Sequence, residues 1–227
     1  MLTKHIKALK PAKVLDVGCG CGSFTAKIAP YCKHITAIDS SQPLIDRCQK
    51  ENQLPNVDFV CMDAGNIKYS ENSFGLVLER ASLHHILEWR AVLDEMTRVS
   101  SKYVCIEEPI DDPRSEEKRN TIAAQNLFLE LQKEIGYPHY KHHAPEALLE
   151  YFISRGMEYE SRIVKSDQSI DFVEYFEQFD RFAEKSQRKE YWLARLAGLK
   201  KEMKGGKLSE NDALFIFAVK PKTSKDS

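Results

Sequence analysis

Residues 14–25 read Val14-Leu15-Asp16-Val17-Gly18-Cys19-Gly20-Cys21-Gly22-Ser23-Phe24-Thr25. A short apolar strand runs into three glycines at alternate positions, and a helix-like stretch follows. Glycine has no Cβ, so it turns the backbone through positive φ and lets a ligand approach the main chain. A strand, a glycine-rich turn and a helix N-terminus together form a nucleotide cradle. An ordinary βα turn needs one such glycine, whereas three in alternation point to a binding loop.

The first half of the chain alternates two periodicities. Strands are predicted at Lys13–Val17, His34–Asp39, Val57–Met62, Phe74–Glu79 and Tyr103–Glu107, and helices at Phe24–Tyr31, Pro43–Asn52 and Trp89–Val99. This order implies right-handed βαβ units and a mainly parallel sheet, whose ligands bind at the carboxyl ends of the strands. Beyond residue 110 the pattern changes. Ser115–Ile135 and Pro145–Arg155 read as helices, Met157–Lys165 as a strand, Ile170–Lys204 as one or two helices broken by Gly205-Gly206, and Leu214–Val219 as a last strand before a frayed polar tail, Lys220–Ser227. Phe172, Tyr175, Phe176, Phe179 and Phe182 recur at helical spacing, which predicts a buried aromatic stripe.

Composition closes off some function classes. A net charge of −1 gives no global field for nucleic acid, and no apolar run approaches the ~20 residues of a membrane span. The opening Met1–Lys7 lacks the apolar core of a secretory signal. The six cysteines form no C-x-x-C pair, so reduced thiols and a cytoplasmic location are expected.

Three acids stand where a ligand would meet them. Asp16 lies inside the approach to the first glycine, where it either faces a cationic ligand or braces the loop through backbone N–H groups. The spacing is G-x-G-x-G, with Ser23 where the dinucleotide fingerprint would put its third glycine. Asp39 ends the second strand 39 − 22 = 17 residues after Gly22, a place suited to ribose hydroxyls or to a helix cap shared with Ser40 and Ser41. Asp63, followed by Ala64, can receive an adenine amino group or form an Asx turn.

Asp16-Val17-Gly18-Cys19-Gly20-Cys21-Gly22, with Asp39 and Asp63-Ala64, resembles motif I and the downstream acidic positions of the class I S-adenosylmethionine-dependent methyltransferases. Ser73–Glu79, leading to Leu83-His84-His85, is similar to their fourth strand. The resemblance covers residues 10–110 well, and 157–165 and 212–220 loosely. It implies an α/β Rossmann-like, doubly wound sheet of seven strands, mostly parallel with an antiparallel last strand. Helical insertions at about 111–144 and 167–210 would then form a cap on one domain spanning 1–227. Phe74-Gly75 departs from the family's usual Phe-Asp. Glu79-Arg80-Ala81-Ser82 replaces the Asn/Asp-Pro-Pro-Tyr/Phe run of enzymes that methylate base amino groups, which argues against that chemistry.

The implied cofactor is S-adenosyl-L-methionine, released as S-adenosyl-L-homocysteine. Asp16, Gly18, Gly20, Gly22, Asp39, Ser40, Asp63, Ala64 and Glu79 would bind it. The implied reaction is in-line methyl transfer to an O, N or C nucleophile of a small molecule, in which the protein chiefly positions two reactants. His84 and Glu107 are the candidate catalytic residues, and His85, Tyr140 and His143 the candidate substrate contacts. Adjacent helical residues point about 100° apart, so at most one of His84 and His85 should face the ligand. Glu107 and Glu108 alternate to opposite faces of their strand. His139, His142 and His143 do not form a zinc spacing and have no neighbouring cysteine or carboxylate, so no metal is expected. The partner expected is a small molecule, with neither nucleic acid nor membrane, in a monomer or homodimer. A nicotinamide-dependent oxidoreductase, an RNA or protein methyltransferase and a non-catalytic binding module are the alternatives. Asp16 and the glycine spacing count against the first, and the second requires a basic surface beside the pocket.

Overall fold

The computed structural model describes residues 1–203 and 206–221. Lys204, Gly205 and the tail from residue 222 onward lie outside the described residues. The main sheet has seven strands: β1 (Lys13–Val17), β2 (His34–Asp39), β3 (Val57–Cys61), β4 (Phe74–Arg80), β5 (Ser100–Ile110), β6 (Glu158–Val164) and β9 (Asp212–Val219). Their order is β3-β2-β1-β4-β5-β9-β6. The first five pair in parallel, while β9 runs antiparallel between β5 and β6. The strand order reverses beside β1, and the glycine loop leaves β1 at that switch point, where open α/β sheets take their ligands.

Helices cover both faces because strand side chains alternate. On one face α1 (Leu2–Leu9), α2 (Ser23–Ile28) and α3 (Gln42–Glu51) bury Leu2, Ile6, Ile28, Ile45 and Cys48 against Val14, Ile35, Phe59 and Leu76. On the other, α4 (Trp89–Val99) and α6 (Pro145–Ser154) bury Leu93, Met96, Leu148 and Phe152 against Leu15, Val17, Val77 and Val104. Among the described residues no helix is long and apolar enough to cross a membrane.

Several boundaries depart from the sequence expectation for local reasons. The predicted helix Phe24–Tyr31 ends at Ile28 and continues as a 3-10 turn over Ala29–Tyr31, where Pro30 has no N–H to give. The fifth strand runs to Ile110 because β9 pairs with it from Tyr103 through Ile110. Helix α1 was not expected. It is lysine-rich and buries only Leu2 and Ile6, too few positions to register as a period.

A third apolar cluster joins α5 (Glu116–Glu134), α7 (Phe172–Ala183) and α8 (Lys189–Glu202). A short antiparallel pair of β7 (Ser169–Ile170) and β8 (Leu208–Ser209), not foreseen in the sequence, closes it. The aromatic stripe forms its centre. Phe176 and Phe179 are buried, and Phe182 meets Phe128 edge to face at 5.0 Å. Asp212, at the start of β9, is buried and paired with Arg114 and Lys118, which anchors the α5 end of this layer to the sheet.

Truncating Phe179 to alanine empties the middle of that cluster, a change that costs about 3–5 kcal/mol in packed cores. We expect the melting temperature to fall by about 10 °C, at ~2–4 °C per kcal/mol for a chain of this size. The affinity of the glycine-loop cleft for its ligand should stay within twofold, because Phe179 does not line that cleft. Thermal denaturation and calorimetry on the same variant check both parts.

Candidate active site

The glycine loop is held by its neighbours. Gly18 N–H and Cys19 N–H both donate to Ile38 O, at 2.8 and 3.0 Å. Gly18 has φ +70°, and a Cβ there would stand 2.3 Å from Ser82 Oγ. Gly20 has φ +56° and faces open space, and its N–H donates to Asp39 Oδ2 at 2.9 Å. Asp39 Oδ1 accepts from Ser41 N–H at 2.9 Å, just before α3 begins. A cleft of about 500 Å³ opens here, lined by Gly18, Gly20, Asp39, Ser40, Asp63, Ala64, Ser82 and His85 with apolar walls from Ile38, Leu44, Met62 and Ile86. Asp63 Oδ1 accepts from Gly65 N–H at 2.8 Å, and Oδ2 makes no hydrogen bond among the described residues.

Asp16, Gly22 and Glu79 stand behind this cleft and do not line it. Gly22 turns the chain into α2, where a Cβ would press on Phe59 and Cys48 at 3.0–3.1 Å. Asp16 alternates with Leu15 and Val17, so it faces α2 and accepts a 2.6 Å hydrogen bond from Thr25 Oγ1. Burial pushes its carboxyl from 3.8 to about 7, and the Thr25 bond offsets part of that rise.

The folded chain therefore holds a proton on Asp16 that the unfolded chain has lost above pH 3.8. Stability falls as pH rises from about 4 to 7, by up to about 4 kcal/mol from this group. Asp16→Asn keeps the shape and removes the titration. Denaturant melts at pH 5 and pH 8 should show the variant losing markedly less stability than the parent between the two. Equal losses would contradict the assignment.

The turn after β4 lies between the cleft and a second cavity, with Ala81 lining both. Ala81 has φ +55°, a left-handed conformation that costs a non-glycine residue roughly 1–2 kcal/mol. Two buried carboxyls hold the turn. Ser82 N–H donates to Glu79 Oε1 at 2.5 Å and to Glu108 Oε1 at 2.7 Å, and Ser82 Oγ also donates to Glu79. Burial, then the adjacent Glu108, push the Glu79 carboxyl well above its usual range. Burial also acts on Glu108, but the His84 hydrogen bond and its other donors outweigh it and bring that carboxyl below its usual value. His84 Nδ1 lies 3.1 Å from Glu108 Oε2.

The second cavity, about 440 Å³, lies between the sheet end and the helices α5 and α7. Ala81 lines both spaces, while His84 and Tyr140 line the second and His85 the first. The two adjacent histidines therefore serve different cavities. Glu107 lines the second cavity, where Arg80 Nε donates to it at 3.0 Å. Burial would raise the Glu107 carboxyl, but the Arg80 bond and its other partners bring it below its usual value. His143 lines neither cavity and stacks on Trp89 at 4.8 Å. Burial, then neighbouring imidazoles, lower His139 to about 3, and burial likewise lowers His85.

Sequence reasoning did not single out Ser82, Leu44, Met62 or Ile86 in the cleft, nor Arg80 in the second cavity, and it named His139 only within a histidine cluster at which no metal was expected. The signal for Ser82 was a small residue two positions after Arg80, which has meaning only once β4 is known to lie beside β1.

A seven-stranded sheet of this order, with β9 antiparallel and a glycine-loop cleft at its switch point, defines the class I S-adenosylmethionine-dependent methyltransferase fold. Residues 15–103 match the methyltransferase domain family. A phthiotriol/phenolphthiotriol dimycocerosates methyltransferase of Mycobacterium tuberculosis is 35% identical over 91 residues, which is 38% of this chain and 33% of that protein. The chain spans 33–42% of the length of the curated relatives it matches. The crystal structure of the YcgJ protein of Bacillus subtilis superposes with a TM-score of 0.70 at 15% identity, covering 98% of this chain and 97% of that one. That of the N-methyltransferase NodS of Bradyrhizobium japonicum, in complex with S-adenosyl-L-homocysteine, superposes at 0.57 with 15% identity, covering 97% and 85%.

The residues fit an adenosyl ligand on structural grounds alone. A cradle that any side chain at Gly18 would fill, an acid closing β2, an apolar slot and an acid with an unengaged oxygen all open into one space.

Proposed function

We propose that this protein transfers the methyl group of S-adenosylmethionine to a small-molecule acceptor bound in the second cavity. The observation that carries this reading is the junction at Ala81, where a cleft suited to the cofactor meets an acceptor-sized cavity. When bound, S-adenosylmethionine supplies a methyl group already activated by its sulfonium. The chain's task is then to align two reactants and exclude water.

Asp39 is suited to the ribose hydroxyls, since each of its oxygens keeps a lone pair after accepting from Gly20 and Ser41. Asp63 Oδ2 and the Ala64 backbone are placed for an adenine edge between Met62 and Ile86. Gly18 and Gly20 keep the main chain clear of side chains along the cleft floor. We read His84 as the residue that activates the acceptor. Its ring faces the second cavity, and Glu108 fixes it through Nδ1. Glu107 fits a binding role better than a basic one, since Arg80 holds it in its ionised form. Residues of α5 and α7, Tyr175 among them, line this cavity, which suits these helices to the role of a cap.

The phthiotriol/phenolphthiotriol methyltransferase and NodS support a small-molecule acceptor by analogy. Incubating the protein with tritiated S-adenosylmethionine and fractionated metabolite extracts tests the reading. Label recovered in a small organic product supports it. Label recovered only in protein or RNA would reassign the acceptor, and tight binding of NADH in place of S-adenosylmethionine would refute it.

A further inference from the structure

Three histidines from two separate segments converge at the wall between the cavities. His84 and His85 follow β4, and His139 lies in the loop before α6. Their ring centroids are 4.3, 4.5 and 5.2 Å apart, and one ring nitrogen of each lies within 4.8 Å of the other two. Each Nδ1 is engaged by an oxygen. His84 Nδ1 meets Glu108 Oε2 at 3.1 Å, His85 Nδ1 meets Pro138 O at 3.1 Å, and His139 Nδ1 meets Gln132 Oε1 at 2.7 Å. A backbone carbonyl and an amide oxygen can only accept, so the Nδ1 atoms of His85 and His139 donate, and Glu108 Oε2 is placed to accept from His84 Nδ1 in the same way. That fixes one tautomer in all three rings and leaves the lone pair on Nε2. Among the described residues none of these Nε2 atoms makes a hydrogen bond.

Such an arrangement is the outer shell of a metal centre. Histidines that hold metals donate their second nitrogen to a carboxylate, a backbone carbonyl or another oxygen, which orients the ring and strengthens the ligand. Three neutral imidazoles with an open fourth position suit Zn²⁺. We propose that His84, His85 and His139 bind a zinc ion whose fourth coordination position faces the acceptor cavity.

Zinc at ~2.0–2.1 Å from each nitrogen places its ligands about 3.4 Å apart, so the three rings must draw together to bind it, since the ring nitrogens they offer now lie within 4.8 Å of one another. His139, outside any helix or strand, is the ligand free to make that shift. The sequence spacing of the histidines hid the site, because two ligands come from one segment and the third from 54 positions further on (139 − 85).

This inference rests on the methyl-transfer reading and names how His84 would activate the acceptor. An acceptor hydroxyl or thiol would coordinate the zinc and lose its proton to water. Its lone pair then forms a bond to the methyl carbon as the carbon–sulfur bond of S-adenosylmethionine breaks. That electron pair returns to sulfur and leaves the neutral thioether, S-adenosylhomocysteine.

The test is zinc binding itself, measured without turnover. Protein treated with EDTA and then titrated with Zn²⁺ by calorimetry should take up one equivalent. Substitution by Co²⁺ should give the visible absorption of a nitrogen and oxygen site of low coordination number. His139→Ala should weaken zinc binding at least 100-fold. Gln132→Leu, which leaves all three ligands, should weaken it about 10-fold. His34→Ala, a surface control, should leave it unchanged. Absence of zinc uptake, equal affinity in His139→Ala, or a sulfur-to-cobalt charge-transfer band assigning the ion to cysteines would each overturn the proposal. S-adenosylhomocysteine titrated into the same samples separates the two claims. Its binding without zinc uptake sinks the metal site alone, and zinc uptake without its binding upholds the metal site and sinks the cofactor reading.

Discussion

Gly18→Val loses all measurable S-adenosylhomocysteine binding and melts well below the parent protein. A Cβ at this position would stand 2.3 Å from Ser82 Oγ and 2.5 Å from Ser82 Cβ, and the backbone holds φ +70°. A β-branched residue cannot adopt that conformation without strain, and Ser82 cannot retreat because its N–H is shared by Glu79 and Glu108. The loop must therefore move, and it takes the cleft floor with it. Gly20→Ala separates the ligand from the fold. Its Cβ meets no atom within 4 Å, so the fold bears only the left-handed strain of roughly 1–2 kcal/mol. The added methyl would project where the ligand lies. Calorimetry should show at least a tenfold loss of affinity with a melting temperature within about 5 °C of the parent, on the scale of a few degrees per kcal/mol. Unchanged affinity in Gly20→Ala would mean that the loop does not face the ligand.

Asp39→Ala weakens cofactor binding about 10- to 100-fold, and His84→Ala changes it by less than about threefold. Hydrogen bonds to a charged group contribute about 1.5–3 kcal/mol. Asp39 supplies the ribose acceptors, and it also holds Gly20 N–H and Ser41 N–H, so its loss loosens the loop as well as removing a contact. His84 lines the second cavity and does not line the cleft. The order of the two effects is the informative quantity. Calorimetric titration with S-adenosylhomocysteine that found His84→Ala the weaker binder would exchange the roles of the two cavities.

The sheet was legible because its signals are local. Gly18, Gly20 and Gly22 all adopt positive φ, and the strands from Lys13 to Glu79 fall within a residue of their predicted ends. Asp39, Ser40, Asp63 and Ala64 were placed at the cleft by their positions just past strand ends, where the fold itself concentrates ligand contacts. Other features depend on contacts distant in sequence. Whether Asp16 meets the ligand or braces the loop turns on which face of β1 it occupies relative to Thr25. The coupling of Glu79 to Glu108 requires β4 and β5 to be neighbours. The histidine triad draws on the segment after β4 and on a loop lying between α5 and α6, and no periodicity links them. Helix α1 and the two-residue strands β7 and β8 were missed because each buries too few side chains to imprint a pattern.

A crystal structure determined after soaking with S-adenosyl-L-homocysteine tests the central claim most directly. Density for the ligand is expected along Gly18 and Gly20, with ribose hydroxyls on Asp39, adenine beside Asp63 and Ala64, and the thioether sulfur directed past Ala81 toward His84. Density in another part of the molecule, or a ligand whose sulfur faces away from the second cavity, would contradict it.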